Sequence, residues 1–333
     1  MIPSIPLVGL LVLSPLPVVR EAFLMGTTLR AEVTGERSAA TAAIQQAFDT
    51  VAALELVLST WREDSEIAAL NRARPGETVQ LSRGLADLLG EVEGWWRRTG
   101  GAFDPAVGAL VDAWDLRGPG RVPTDNRLAE ARNATGLEHF VFRRGDGYTL
   151  ATREIPGAWL DTGGFGKGAA LRAAAAKLRA AGIASAALNF GGQVMFLGAG
   201  PDRQGWLVPV AHPAHRHRPV AMLRVADASV STSAQSERYV SVNGARYGHI
   251  LDPRIGRPVP AWGSVTVVST DPLVADVLST ALFVLGPQAG VIYARQHGIA
   301  ALFLVQRGRE LRSIITPALR PLVGGSSLSS IGG

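Results

Sequence analysis

The dipeptide Asn243-Gly244 divides the stretch Tyr239–Ile250 into two short strand-like runs and is the strongest short-range turn signal in the chain. Asn and Gly tolerate the positive φ angles of the two-residue turns that join neighbouring antiparallel strands. Such hairpin signals are mixed with helical patterns, for example at 38–58, so strands and helices do not alternate regularly. Regular alternation is typical of a doubly wound parallel sheet. The sequence therefore predicts an α+β fold of mixed or antiparallel sheet with packed helices.

Length and composition narrow the possible partners and chemistries. With 333 residues, 47% of them hydrophobic, the chain is long enough for one large domain or two coupled lobes. The formal charge of +5 is small and spread along the chain, without the basic runs of nucleic-acid-binding proteins, so we expect no nucleic-acid partner. The absence of cysteine excludes disulfides, thiol nucleophiles and thiolate metal sites.

The two ends of the chain differ from the rest in composition. Residues 1–20 are apolar but have no basic start, lipobox cysteine or A-x-A site, so a degenerate export signal and a plain extension both stay open. This segment is too short and too rich in proline to be a firm transmembrane segment. Residues 318–333 are rich in Ser and Gly, and we expect a disordered tail there. The folded domain is predicted to span 21–317.

Hydrophobic periodicity gives a coarse set of elements. Met25-Gly26-Thr27 is predicted to be a turn within the strand-like stretch Glu21–Val33. The predicted helices are 38–58, 82–98, 124–135, 167–181, 272–285 and 288–297. The predicted strands are 159–161, 188–197, 206–210, 222–230, 264–269, 300–305 and 311–315.

A glycine-rich turn, DTGGFGKG at 161–168, lies between a predicted strand and a predicted helix. Such a turn presents backbone N–H groups and a helix N-terminus to phosphate. Its spacing fits neither the P-loop nor the dinucleotide fingerprint. Only two of the 33 basic residues are lysines, which makes Lys167 in this turn notable. Two interpretations stay open, a phosphate-binding turn and a tight left-handed turn with a solvated lysine.

An acid and two hydroxyls share one face of the predicted helix at 272–285. Asp276, Ser279 and Thr280 are spaced i, i+3 and i+4, so a helix brings them within reach of one ion. A carboxylate with hydroxyl and carbonyl oxygens suits Mg²⁺, especially when substrate phosphates complete the shell. The alternative is a helix acid with hydroxyls that are satisfied by the backbone.

Histidines occur singly and in one cluster. His249 ends a hairpin strand just before a D-P turn, where it is either a hydrogen-bonded structural residue or a catalytic group. His212, His215 and His217 lie among Pro and Arg, so we expect an exposed loop there and not a metal site.

Three aromatic residues, Trp61, Phe103 and Trp114, are either a stacking surface for a flat ring or part of the core. Asp104 precedes Pro105 and is by default a turn residue.

Together these segments resemble the FAD:protein FMN transferase (ApbE) family over nearly the whole folded chain, from Met25 to Leu304. The resemblance is specific because eight motifs occur in the family's order. They are M-G-T at Met25, L-S-x-[YW]-x-x-D-S-E-I-x-x-L-N at Leu58–Asn71, G-A-F-D-P at Gly101, D-x-G-G-x-x-K-G at Asp161, N-x-G-G at Asn189, S-T-S at Ser231, H-I-x-D-P-x-x-G at His249 and A-D-x-x-S-T-A at Ala275.

The resemblance implies an α+β fold of two coupled lobes with FAD in the cleft between them and Mg²⁺ on its pyrophosphate. It implies transfer of FMN to a Ser or Thr hydroxyl of a target flavoprotein, with release of AMP. The implied FAD contacts are Met25, Trp61, Ala102, Phe103, Asp104, Asp161, Lys167 and Ile250. The implied metal ligands are Asp276, Ser279, Thr280 and the carbonyl of Gly164. His249 occupies the position of the family's active-site histidine, and His249, Lys167 and Asp276 are the predicted catalytic residues.

Some positions depart from the family's motifs, and they leave the substrate contacts and the rate open. They are Ala169 and Arg172 after the glycine turn, Gln193 after N-x-G-G, and Ala234 and Gln235 after S-T-S. We expect Arg172 to lie near the phosphates. A FAD carrier and a FAD pyrophosphatase that yields FMN and AMP remain alternative functions. Relatives often act outside the cytoplasm, so the resemblance implies a periplasmic or membrane-associated protein, and a cytoplasmic one stays open.

Overall fold

The computed structural model describes residues 16–146, 148–200, 202–236, 239–308 and 310–324. The strands are β1 (Val18–Leu24), β2 (Thr27–Thr34), β3 (Thr78–Leu81), β4 (Phe140–Gly145), β5 (Tyr148–Arg153), β6 (Ser185–Phe190), β7 (Gln193–Leu197), β8 (Trp206–His212), β9 (His215–Val225), β10 (Ser229–Ala234), β11 (Tyr239–Val242), β12 (Ala245–Gly248), β13 (Leu251–Asp252), β14 (Arg257–Pro258), β15 (Gly263–Ser269), β16 (Ala300–Arg307) and β17 (Glu310–Ile315). Eight of them form one sheet in the order β1-β2-β6-β7-β10-β15-β16-β17, and every neighbouring pair is antiparallel. The α+β prediction is therefore confirmed.

The helices are α1 (Arg37–Leu58), α2 (Glu66–Arg72), α3 (Arg83–Arg98), α4 (Gly108–Ala113), α5 (Asp125–Asn133), α6 (Gly166–Ala180) and α7 (Pro272–Gln296). Of these, α1, α6 and α7 cover one face of the eight-stranded sheet. The apolar stripes of α1 and α6 pack together on β2, β6 and β7. The first half of α7 packs on β15 and β16 through residues such as Leu278 and Leu282. We call this sheet the main lobe, together with α1, α6 and α7 on one face and the β8–β9 hairpin on the opposite face.

Residues 59–160 form a small lobe beside the main lobe. It contains α2 to α5 and the three-stranded sheet β3-β5-β4. Its core is continuous with the main lobe, because Ile67 and Leu85 belong to the same buried cluster as Leu273 and Val277 of α7. The two lobes are therefore coupled by shared apolar packing.

Two predicted strands are each split by a turn. Residues 188–197 contain the end of β6 and all of β7, because Gly191 and Gly192 adopt φ angles of 57° and 95° and reverse the chain. Residues 222–230 contain the end of β9 and the start of β10. The predictions joined two apolar runs across the turn residues, which are Gly191 and Gly192 in the first case and Asp227 in the second.

The histidine cluster and the segment 159–161 were also predicted incorrectly. His212 ends β8, and His215 and His217 lie at the start of the paired strand β9 instead of in a loop. The His212 side chain is buried. Residues 159–161 form no strand. The main chain of Leu160 is bonded on both sides by the Asn71 side-chain amide, at 2.8 and 2.9 Å, which replaces a neighbouring strand.

Both predicted terminal boundaries lie inside ordered structure. β1 begins at Val18, and a 3₁₀ turn at Pro317–Leu322 buries Leu319 completely against the hairpin β8–β9. The apolar segment 1–15 and the tail 325–333 lie outside the described residues, so the predictions for these two parts stay predictions.

Helix α7 is the one helix in the described ranges that is long and apolar enough to cross a membrane by length and composition alone. The helix is broken at Gly286, which has φ 76° and ψ 174° and is followed by Pro287. This break agrees with the prediction of two helices. In the most apolar window of the helix, 56% of the residues are buried in the fold, which fits a core helix.

Helices α6 and α7 approach each other closely at Gly168. A Cβ at this position would lie 2.6 Å from the carbonyl oxygen of Pro272 and 2.8 Å from the Cβ of Asp276. The backbone N–H of Gly168 donates to Asp276 Oδ2 at 2.9 Å. The absence of a side chain at Gly168 therefore sets the distance between the two helices.

We predict that Gly168→Ala destabilises the fold by about 1–3 kcal/mol, because an added methyl group in a filled space pushes backbone apart. Gly84→Ala is the matched control, since a Cβ on this α3 glycine would meet nothing within 4 Å. We expect the control to be neutral or to stabilise the helix by up to about 1 kcal/mol. Urea unfolding of both variants measures the difference. Equal stability of Gly168→Ala and wild type would show that α6 and α7 can separate at no cost.

Candidate active site

One cleft of about 1760 Å³ runs between the two lobes. Small-molecule sites commonly measure about 300–1,000 Å³, so this cleft has room for a large ligand and part of a second molecule. The cleft brings together residues from distant parts of the sequence. The predicted site residues that line it are Met25, Trp61, Ala102, Phe103, Asp104, Asp161, Gly164, Lys167, His249, Ile250, Asp276 and Thr280. Ser279 does not line the cleft.

The glycines of the turn at 161–168 are needed for close packing and not for an unusual backbone angle. Neither Gly164 nor Gly166 has a positive φ, so the interpretation as a left-handed turn was wrong. A Cβ at Gly164 would lie 3.2 Å from the Phe103 ring, and one at Gly166 would lie 3.3 Å from Cε of Met25. The turn therefore lies closely against both lobes just before α6 begins.

Asp276 is buried at the inner end of the cleft, with 4% of its surface exposed. Its Oδ2 accepts the Gly168 N–H, and Lys167 Nζ lies 3.7 Å from its Oδ1. Burial raises the pKa of the carboxyl, and the nearby Lys167 charge and the Gly168 N–H oppose that shift. A buried carboxylate of this kind is stabilised by further positive charge.

The two hydroxyl residues beside Asp276, Ser279 and Thr280, have different surroundings. Ser279 Oγ bonds to the Asp276 carbonyl at 3.0 Å and to the hydroxyls of Ser231 and Ser233 at 3.1 and 2.9 Å. A metal ion would therefore have to displace one of these partners. The Thr280 side chain instead faces the glycine turn, since its Cγ2 lies 3.8 Å from a Cβ placed on Gly164.

The donor set fits a hard cation in its chemistry, because Gly164, Asp276 and Thr280 line the same cleft and offer carbonyl, carboxylate and hydroxyl oxygens. In the described ranges no three His, Cys, Asp or Glu side chains cluster around a possible metal position. Any ion here would therefore depend on hydroxyl, carbonyl and ligand oxygens.

A buried glutamine fixes the segment that carries His249. Gln235 Nε2 donates to the carbonyls of Ile250 and Val259 at 2.7 and 2.9 Å, and its Oε1 accepts the Ile250 N–H at 3.0 Å. Three bonds from one side chain hold the chain just after His249, which is partly buried and lines the cleft. In the sequence, Gln235 was noticed only as a departure from a family motif.

Asp104 lies in the small lobe wall with 8% of its surface exposed, between buried Phe103 and the N–H of Ala106, which donates to Oδ1 at 2.7 Å. Burial raises the pKa of this carboxyl to about 6, the Ala106 N–H opposes that shift, and Glu138 adds to it. Asp104 is therefore a turn residue, as predicted, and it is also a carboxyl group with a raised pKa.

Arg117 lines the cleft and was missed in the sequence. Its guanidinium carbon lies 4.8 Å from the centre of the Trp61 ring and 5.4 Å from that of Trp159. Its Nη2 donates to Asp161 Oδ2 at 2.6 Å and to Thr60 Oγ1 at 2.8 Å. No local motif marks Arg117, because its partners lie about 50 residues away on either side. Trp61 is 72% exposed, whereas Phe103 and Trp114 are core residues.

The departures Arg172 and Gln193 have structural partners. Arg172 donates through Nε to Asp271 at 2.8 Å and through Nη1 to Glu91 at 3.0 Å, so its charge is neutralised between α3 and the start of α7. The expected position near the phosphates was wrong. Gln193 is buried and donates to the carbonyl of Pro272 at 2.8 Å. Both residues hold the N-terminal turn of α7.

Comparisons with known proteins agree with the sequence motifs. A sequence profile of the ApbE family matches residues 25–303. A FAD:protein FMN transferase of Salmonella typhimurium is 29% identical over 313 residues, which cover 92% of this chain and 89% of the relative. One of Treponema pallidum is 32% identical over 303 residues, which cover 86% and 83%.

Solved structures share the fold. The flavin transferase ApbE of Vibrio cholerae superposes with a TM-score of 0.82 and 28% identity, covering 92% of this chain and 99% of the other. The ApbE protein of Thermotoga maritima gives a TM-score of 0.84 at 26% identity, covering 92% and 99%.

The raised pKa of Asp104 predicts a pH dependence of stability. The folded state holds a proton up to about pH 6, whereas an unfolded Asp loses it near 4, so unfolding free energy falls between these values as pH rises. Asp104→Asn stays neutral and should lack this fall. At pH 7 it should be more stable than wild type by up to roughly 3 kcal/mol.

Urea unfolding between pH 4 and 7 measures this difference. Asp87→Asn, on the exposed face of α3, should follow the wild-type profile. An Asp104→Asn profile parallel to that of wild type would mean that Asp104 titrates normally.

Proposed function

This chain belongs to the ApbE family and is a transferase, and on that premise we propose that it moves the FMN half of FAD onto a Ser or Thr hydroxyl of a target flavoprotein. AMP is the second product. The observation that carries this proposal is the pair formed by buried Asp276 and half-buried Lys167, whose Oδ1 and Nζ atoms lie 3.7 Å apart, beside a glycine turn in a cleft large enough for FAD and an acceptor segment.

The reaction exchanges one phosphate linkage for another. The acceptor hydroxyl oxygen forms a bond to the phosphorus of the FMN half, and the bond from that phosphorus to the bridging oxygen of AMP breaks. The hydroxyl proton leaves with a base, and AMP leaves with the electron pair of the broken bond. Positioning and charge stabilisation supply most of the rate in such transfers.

The main lobe supplies the phosphate side of the site. Lys167 is one-third exposed in the cleft and follows directly on the glycine turn, so its ammonium can bind a pyrophosphate oxygen. Asp276 and Thr280, with the carbonyl of Gly164, are the groups that would hold Mg²⁺. When bound, Mg²⁺ would neutralise pyrophosphate charge and act as a Lewis acid.

His249 is our candidate for the base. It lines the same cleft as Lys167 and Asp276, and Gln235 fixes the chain beside it. An imidazole held in this way can accept the proton of the incoming hydroxyl near neutral pH. Met25, Trp61, Ala102, Phe103, Asp104, Asp161 and Ile250 complete the proposed FAD-binding wall.

One assay separates transfer from the two alternatives. The protein is incubated with FAD, Mg²⁺ and an acceptor flavoprotein domain, and the mass of the acceptor and the free nucleotides are measured. Transfer predicts an acceptor heavier by FMN and one AMP per adduct. Free FMN with AMP and an unmodified acceptor would indicate a pyrophosphatase, and intact FAD would indicate a carrier.

We predict that His249→Ala binds FAD with wild-type affinity but transfers FMN about 10²–10⁴-fold more slowly, because the hydroxyl keeps its proton during attack. Single-turnover mass spectrometry measures the rate, and flavin fluorescence measures the affinity. His297→Ala is the control, since this exposed histidine caps the end of α7 outside the cleft. A His249→Ala variant with an unchanged rate would remove His249 from the mechanism.

For Asp276→Ala we expect the Mg²⁺ concentration for half-maximal transfer to rise at least about 10–100-fold, because the only carboxylate in the donor set is lost. Titration of activity with Mg²⁺ measures this. Asp87→Ala provides a control that removes an exposed helical acid. An unshifted Mg²⁺ titration of Asp276→Ala, in a folded variant, would contradict the ligand assignment.

A further inference from the structure

Arg117 connects two segments of the cleft wall, the loop that follows α1 and the glycine turn, which also meet where the Thr162 hydroxyl donates to the Leu58 carbonyl at 3.1 Å. On one side its guanidinium lies over the Trp61 ring and bonds to Thr60 of the same loop. On the other side it bonds to Asp161, whose Oδ1 accepts the N–H of Gly163 at 2.8 Å. One side chain thus ties the loop that follows α1 to the start of the glycine turn.

The environment of Arg117 favours a fixed position over a mobile surface charge. The side chain is 24% exposed and its partner Asp161 is 16% exposed, so solvent screens their ion pair less than a surface pair. A guanidinium is planar and can stack on aromatic rings while its edge bonds to a carboxylate. The rings of Trp61 and Trp159 both lie within about 6 Å, the range of a cation–π contact.

The main chain that carries Arg117 is itself anchored. Trp114 is buried, its Nε1 donates to the carbonyl of Gly256 at 2.8 Å, and its ring lies 5.2 Å from that of Tyr247. Arg117 therefore extends from a rigid base toward a loop whose large aromatic is 72% exposed. The rigid part of this arrangement is Arg117, and the part that needs support is Trp61.

We propose that Arg117 is a positioning residue for FAD, which holds Trp61 and Asp161 as one preformed wall of the binding cleft. This inference rests on the proposed function, because FAD is the ligand that this wall would bind. When the wall is already formed, the binding of FAD does not have to order a loop, so the entropy cost of binding is smaller. Loss of Arg117 should thus weaken binding of FAD and raise its KM while leaving kcat for bound FAD nearly unchanged.

The test compares FAD dissociation constants, measured by flavin fluorescence, for the full chain and three variants. Arg117→Met should weaken binding about tenfold, as expected for one stacked cation and one charge-assisted bond. Arg117→Lys keeps the charge but not the planar fork and should still weaken binding. Arg127→Met removes a comparable arginine, paired with Asp112 at 2.7 Å outside the cleft, and should bind FAD as wild type does.

A second background separates positioning from direct contact with the ligand. In Trp61→Ala/Asp161→Ala, the side chains that Arg117 holds are gone, so Arg117→Met should add less than about twofold to the loss. A persisting tenfold effect in this background would overturn the positioning role.

If Arg117→Met and wild type bind FAD with equal affinity, the inference about Arg117 is overturned and the proposed function is not. If the wild-type chain has no affinity for FAD, both the proposed function and this inference are refuted. If thermal denaturation shows that Arg117→Met is unfolded, Arg117→Lys decides. Weaker binding by folded Arg117→Lys supports the inference, and wild-type binding by it overturns the inference.

Discussion

The contact between α6 and α7 at Gly168 is the interaction on which the geometry of the cleft depends. It places the glycine turn at the start of α6 against the first turns of α7, so Lys167 and Asp276 meet although they lie far apart in the sequence. The Gly168 N–H also satisfies one oxygen of the buried carboxylate. Removing a carboxylate from water is expensive unless bonds and opposite charge replace the solvent, and this contact supplies both.

The start of α7 is held from three sides. Asp271 caps the helix by accepting the Leu273 N–H, and Arg172 bonds to Asp271 and to Glu91 of α3. Gln193 holds the carbonyl of Pro272 from the sheet. Two residues that depart from the family's motifs thus stabilise the helix that carries Asp276. Their effect on the cleft is exerted through the position of α7 and not through contact with an anion.

Local sequence patterns predicted what depends on neighbours in the chain. The hairpin at Asn243-Gly244, the helices and the break at Gly286 all follow from backbone preferences of nearby residues. The patterns did not predict what depends on packing partners. A left-handed backbone was one of two open interpretations of the turn glycines, but the limited space beside Phe103 and Met25 is what disfavours a side chain there. Spacing put Ser279 on the face of Asp276, yet its hydroxyl bonds to strand β10. Arg117 has no local signature, because its partners come from two other segments.

The size of the cleft makes rigid walls necessary. At about 1760 Å³ it cannot orient a ligand by enclosing it closely, so orientation has to come from fixed polar and aromatic groups. In the main lobe, helix packing fixes Lys167 and Asp276. In the small lobe, Trp61 lies on a loop with most of its ring exposed, and apolar packing cannot fix it. A charged side chain anchored elsewhere can do so, because its stacking and ion-pair contacts need no burial of the aromatic ring. Arg117 is in the place where this kind of support is required.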